Sequence, residues 1–109
     1  MDRVFLAKVV SSVHENIAVS GFGVALLANT VGLSNRQLQR KLAALTGLAP
    51  LALIRRLRLE RAAHLFQQQT GTVSEIAYAC GFESPAYFTK LFRKRFGMPP
   101  NHYRKQKGE

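Results

Sequence analysis

The side chains best equipped for directed chemistry in this sequence are hydrogen-bonding forks, not nucleophiles. Asn35, Arg36, Gln39 and Arg40 fall, on a helix, opposite the apolar stripe Leu38, Leu42 and Leu45. An arginine fork can bond a guanine edge bidentately, and a glutamine amide an adenine edge. The plainer alternative is a solvated helix face. Catalysis finds no matching set. Cys80 is the single cysteine, which excludes an intramolecular disulfide and a multi-cysteine zinc site and reads as a buried structural thiol. His14, His64 and His102 lack metal-ligand spacing, so no metal is expected. No glycine-rich phosphate loop, paired carboxylates or nucleophile motif is present, so neither a cofactor nor an enzyme activity is expected.

These forks sit in a strongly basic chain. Its 109 residues hold 16 Lys and Arg against 6 Asp and Glu, a net charge of +10. With 47% hydrophobic residues it is a folded protein, not a disordered basic tail. Asp2, Arg3 and Lys8 interrupt any signal-peptide core. No window reaches the ~20 apolar residues that span a bilayer. A lone cysteine suits a reducing compartment, so a soluble, cytoplasmic chain without membrane contact is expected. The charge is uneven: residues 1–33 balance, 34–61 carry +6, 62–83 carry −2 and 84–107 carry +7. Two basic blocks point to two contacts on a polyanion, or to two solvated helix faces.

The elements that must position these groups are helices. Phe5, Val9 and Val13, with Leu6, Val10 and Ile17, predict a helix over 3–17. The glycine-rich run 19–23 turns the chain, and Gly23 precedes a short helix over 24–30. Gly32 ends it, Ser34 caps a helix over 35–46 and Gly47 stops that one. Pro50 opens a long helix over 50–69, with apolar residues on more than one side. After a break at 70–72 come helices over 73–80 and 85–96, the second capped by Ser84 and striped by Phe88, Leu91, Phe92 and Phe96. Pro99 or Pro100 opens a last helix through about Arg104. Period-two alternation is absent, so the fold is all-α, with about seven helices.

The sequence repeats itself. VALLANTVG (24–32) aligns with VSEIAYACG (73–81), pairing Leu27 with Ile76, Ala28 with Ala77 and Gly32 with Gly81. After one inserted residue, near Glu83, Ser34 pairs with Ser84, Leu38 with Phe88, Leu42 with Phe92, Gly47 with Gly97 and Pro50 with Pro100. Each copy reads as a short helix, a glycine turn and a capped second helix, the pattern of a helix-turn-helix. The small Ala28 and Ala77 allow close helix approach, and Leu33 and Phe82 pin the turns. Two such copies, each followed by basic residues, make double-stranded DNA the expected partner. The predicted organisation is a helix-turn-helix subdomain over 1–49, a linker helix over 50–69 and a second helix-turn-helix subdomain over 70–109.

The stretch IAYACGFESPAYFTKLFRKRFGMPPNHYRK (76–105) resembles the second helix-turn-helix signature of the AraC/XylS family. LANTVGLSNRQLQRKLAALTG (27–47) resembles the first, and IRRLRLERAAHLF (54–66) the connecting helix. LQRKLAALTG and FLAKVVSSVHENI are most similar to the versions in hybrid two-component sensor-regulators. The resemblance implies two homeodomain-like lobes, the linker helix holding recognition helices 35–46 and 85–96 for successive major grooves. It places Arg36, Gln39 and Arg40, beside Asn35, at base-facing positions. The matching positions of the second copy are Pro85, Ala86, Thr89 and Lys90. Pro85 and Ala86 offer only apolar contact, as to a thymine methyl, so the first copy is expected to read and the second to anchor. Ser34, Lys41, Arg55, Arg56, Ser84, Arg93, Lys94 and Arg95 are candidate backbone contacts, Arg58 a structural tie between lobes, and Tyr87 and Tyr103 packing residues.

A rival reading is a protein-interaction module: the outward Leu26, Leu51 and Ala52 are apolar where a polar surface would be expected, and could dock a sensor domain or RNA polymerase. An N-terminal sensor or receiver region and RNA polymerase are accordingly expected partners. A cationic membrane-surface helix is the third option, which the distributed stripes and caps argue against.

Overall fold

The computed structural model describes residues 2–68 and 71–107. The expected end of the linker helix at 69 and the break at Thr70 lie outside them. Seven α-helices occur among the described residues, and no strand: α1 (Asp2–Glu15), α2 (Val24–Thr30), α3 (Asn35–Thr46), α4 (Pro50–Gln67), α5 (Val73–Ala79), α6 (Pro85–Phe96) and α7 (Pro100–Lys107). Two compact units form, Met1–Ile17 with Gly21–Leu57, and Ala18–Ser20 with Arg58–Glu109.

Each unit has its own apolar core. In the first, Val9 and Val13 of α1 meet Leu27 and Ala28 of α2, Leu38 and Leu42 of α3, and Leu53 and Ile54 of α4. In the second, Leu59, Ala62, Ala63 and Phe66 of α4 meet Ile76 and Ala77 of α5, Phe88 and Phe92 of α6, and Tyr103 of α7. Helix α4 thus serves one core with its first half and the other with its second. That is why no single apolar stripe runs its length. The repeat therefore extends beyond the helix-turn-helix itself: both units follow it with a proline-started helix, the first half of α4 or α7.

The two turns close alike. Leu33 N–H donates to Ala28 O at 2.9 Å, and Phe82 N–H to Ala77 O at 3.0 Å. This backward bond needs a left-handed residue between. Gly32 (φ +76°) and Gly81 (φ +89°) supply it, and a Cβ there would be strained. The next helices are capped. Ser34 Oγ accepts from Gln37 N–H while Gln37 Oε1 accepts from Ser34 N–H, a full capping box. Ser84 Oγ accepts from Tyr87 N–H. Such a cap contributes about 1 kcal/mol.

Thr72 and Glu75 form a second capping box, at the start of α5. The bonds from Thr72, its backbone N–H first, hold the Glu75 carboxyl below its ordinary value. A lowered carboxylate pKa stabilises the fold above the unfolded pKa, and that contribution is lost as pH falls through the native one. The protection of the Thr72 amide, its intrinsic exchange rate over the observed rate at the same pH, is expected to fall in acid, below the ordinary carboxylate range. Glu75→Gln should remove that dependence, and an acid-insensitive protection of Thr72 in the unmodified chain would contradict the cap's role.

Some boundaries differ from the sequence reading. Helix α1 ends at Glu15 rather than 17. There Asn16 and Ile17 N–H turn to carbonyls three residues back, and the Asn16 side chain takes the Ser12 carbonyl. Cys80 is the C-cap of α5 rather than its last residue. Helix α7 runs to Lys107 instead of 104, since no glycine or proline follows Pro100 until Gly108. The Cys80 thiol is fully buried, and burial pushes it up to about 11, with Arg61 and Arg58 pulling the other way.

Candidate nucleic-acid interface

On α3 the buried Leu38 and Leu42 fix the helix on its core, and Leu45 is only half-buried. The opposite face is exposed: Asn35, Arg36, Gln39 and Arg40 all stand in solvent, with Lys41 beside them. One surface of the first unit therefore gathers two guanidinium forks and two carboxamides. Gln37 is also exposed, but its amide oxygen is committed to the capping box. That role went unread in the sequence although the signal Ser-x-x-Gln stood there. Lys41 Nζ lies 4.3 Å from the centroid of the Phe5 ring. Its charge is thus steadied over an aromatic face, a contact that competes with a phosphate role.

Helix α6 presents a different surface. Ala86, Lys90, Arg93 and Lys94 are exposed at spacings of four, three and one, which puts them on one side. Pro85 and Thr89, expected outward, are half-buried. Pro85 occupies the first turn, where its missing N–H costs nothing. The side therefore offers one ammonium and one apolar contact in its first turns, then cations. Arg93, Lys94 and Arg95 lie in the last turn, where the helix dipole also favours them. Arg95 Nη2 meets Glu60 Oε2 at 3.4 Å, an exposed pair of small energetic weight. Tyr103 is buried and packs as expected, whereas Tyr87 is 43% exposed. Phe82, Phe88 and Phe92 are buried and form core rather than stacking platforms.

The remaining candidates are scattered. Ser34 and Ser84 are exposed at the N-termini of α3 and α6 while acting as caps. On α4, Arg56 is exposed and Arg55 half-buried. Arg58 is only 8% exposed, and its Nη2 donates to Val19 O at 3.0 Å. Val19 belongs to the same unit as Arg58, so this bond lies inside the second unit. Ser20 Oγ donates to Glu83 Oε1 at 3.0 Å, reaching the residue inserted in the second turn. Among the described residues no group of three or more His, Cys, Asp or Glu could hold a metal ion, and no helix is long and apolar enough to cross a membrane.

Comparison with known proteins gives this geometry its context. A family model described as a helix-turn-helix domain matches residues 27–106. The chain is 35% identical over all its 109 residues to histidine kinase P4 of Formosa agariphila. It spans 8% of that kinase's length, and 28% of the length of the HTH-type transcriptional activators it also matches. Among solved structures it is similar to an AraC-type DNA-binding-domain transcriptional regulator from Chromobacterium violaceum. That match has a TM-score of 0.89 at 33% identity, covering 98% of this chain and 95% of the other. The DNA-binding domain of AdpA, a global transcriptional factor in complex with a target DNA, superposes with a TM-score of 0.83 at 35% identity, covering 93% and 90% of the two chains. The chain belongs to the AraC-type helix-turn-helix family of DNA-binding domains.

Proposed function

We propose that this chain is the sequence-specific double-stranded DNA-binding domain of a bacterial transcription regulator, with α3 and α6 entering successive major grooves of one duplex. The observation that carries the reading is the exposed set Asn35, Arg36, Gln39 and Arg40, opposite a buried leucine stripe. Arg36, Gln39 and Arg40 read base edges, with Asn35 beside them. In the second unit Lys90 and Thr89 are the polar readers, and Pro85 and Ala86 give apolar contact. Ser34, Lys41, Arg55, Arg56, Ser84, Arg93 and Lys94 meet phosphates. The likeness to a histidine kinase supports a place as the output domain of a hybrid sensor-regulator, after a sensor or receiver region.

Selection of bound sequences from a random duplex pool tests the reading. An enriched site should emerge, better defined in the half facing the first unit. Neutralising ~6–10 phosphates gives a log–log salt slope of roughly −5 to −9. A slope near zero, or no enriched site, would sink DNA reading, and equal information in both halves would sink the asymmetry.

A protein-interaction role is favoured by Leu26 and Leu51, which are 50% and 42% exposed in the first unit. The second copy puts Glu75 and Asn101 at the matching positions, so the fold does not require apolar residues there. RNA polymerase and the sensor region are the partners that would use this surface, alongside DNA rather than in its place.

A further inference from the structure

Arg104 is one of seven basic residues in the block 84–107, yet its guanidinium is turned inward. Nη2 donates to Gly71 O at 2.6 Å, and the guanidinium carbon lies 4.9 Å from the centroid of the Phe66 ring. Its Nε is buried without a hydrogen-bond partner among the described residues. An arginine held over a ring, with one nitrogen on a carbonyl, has given up part of the fork that a phosphate would take. The exposed Lys105 beside it is not held in this way.

Both partners of Arg104 lead into the second helix-turn-helix. Gly71 immediately precedes Thr72, the cap of α5. Phe66 is fully buried and touches α6 through two rings, Phe88 at 6.2 Å and Phe92 edge-on at 5.5 Å. From these contacts we infer that Arg104 is a positioning residue for DNA recognition. It clamps α7 to the turn before α5 and seats Phe66 beneath α6, so that it sets the pose of the second recognition helix without touching the duplex. The inference rests on the DNA-binding reading above.

The test compares Arg104→Lys and Arg104→Met with the unmodified chain, at a temperature where circular dichroism shows each folded. Affinity is measured over a salt series on the duplex the unmodified chain selects and on an unselected duplex of equal length. Both variants should lose affinity for the selected duplex by about three- to tenfold, the scale for residues that act on a site from outside it. Affinity for the unselected duplex and both salt slopes should stay unchanged. Full affinity in Arg104→Lys, with a slope reduced by about 0.9 in Arg104→Met, would make Arg104 a phosphate contact and overturn the inference. Unchanged discrimination in folded variants would overturn it too, leaving a role in stability alone. If the methionine variant does not fold, the lysine variant carries the comparison, since it keeps the charge and loses the planar fork. Failure of the unmodified chain to select any duplex would instead remove the DNA reading on which the inference rests.

Discussion

Phe92→Ala is expected to destabilise the second unit by about 3–5 kcal/mol, the usual cost of emptying a buried aromatic site. Phe92 is fully buried and has four ring neighbours: Phe66 at 5.5 Å, Phe88 at 5.6 Å, Phe96 at 4.5 Å and Tyr103 at 5.2 Å. These neighbours come from α4, α6 and α7. Truncation therefore removes the ring on which three helices converge, and the rigid rings around it cannot readily collapse into the space. Small domains have about 5–15 kcal/mol in all, so the loss consumes much of the unit's margin. The first core shares no side chain with this one. Urea unfolding of the variant, followed residue by residue by NMR, should show the amides of α5 to α7 lost first, while those around Leu27, Leu38 and Leu42 persist. A single transition displaced by less than about 1 kcal/mol, well short of the expected cavity cost, would show that the site relaxes and that Phe92 is not the keystone of the unit.

What could be read from the sequence was whatever depends on neighbours along the chain. The stripe Leu38 and Leu42, the turns at Gly32 and Gly81 and the caps Ser34 and Ser84 are local patterns, and the structure shows each in place. The fork set on α3 was legible for the same reason, because helical period alone puts Asn35, Arg36, Gln39 and Arg40 opposite a stripe that must be buried. Two local signals were passed over: Gln37 and Glu75 complete capping boxes three residues after Ser34 and Thr72. Other features could not be read in this way. That Pro85 and Thr89 are half-buried depends on how α6 lies on its core. The bonds from Arg58 to Val19 and from Arg104 to Gly71 join residues 39 and 33 positions apart. In the sequence Arg104 is indistinguishable from the other charges of its block, and Arg58, expected to tie the two lobes, bonds to Val19 within the second unit. Composition counts cations, but only tertiary contacts tell which are committed to the fold and which remain for a partner.

The largest functional effect is expected from Arg36→Ala, Gln39→Ala and Arg40→Ala combined. All three side chains are exposed on the face opposite the buried Leu38 and Leu42. Surface truncations of this kind usually change stability by less than about 0.5 kcal/mol, so the fold and its unfolding midpoint should survive. Each good bidentate base contact is worth about 1–3 kcal/mol of discrimination. Specific sites are commonly bound about 10³–10⁷ times more tightly than random DNA. Removing three readers should therefore bring affinity for the selected duplex close to that for an unselected one. Part of the loss in the triple variant is simple charge, since two arginines go. Gln39→Ala separates the two contributions because it leaves the net charge at +10. Its salt slope should match that of the unmodified chain, while the preference at one base pair relaxes by about 5- to 150-fold. Lys94→Ala should do the reverse, weakening all duplexes alike and reducing the slope by about 0.9. If Gln39→Ala instead lowered affinity equally on every duplex, the exposed face of α3 would be a phosphate grip, and the reading of sequence would have to lie elsewhere on the chain.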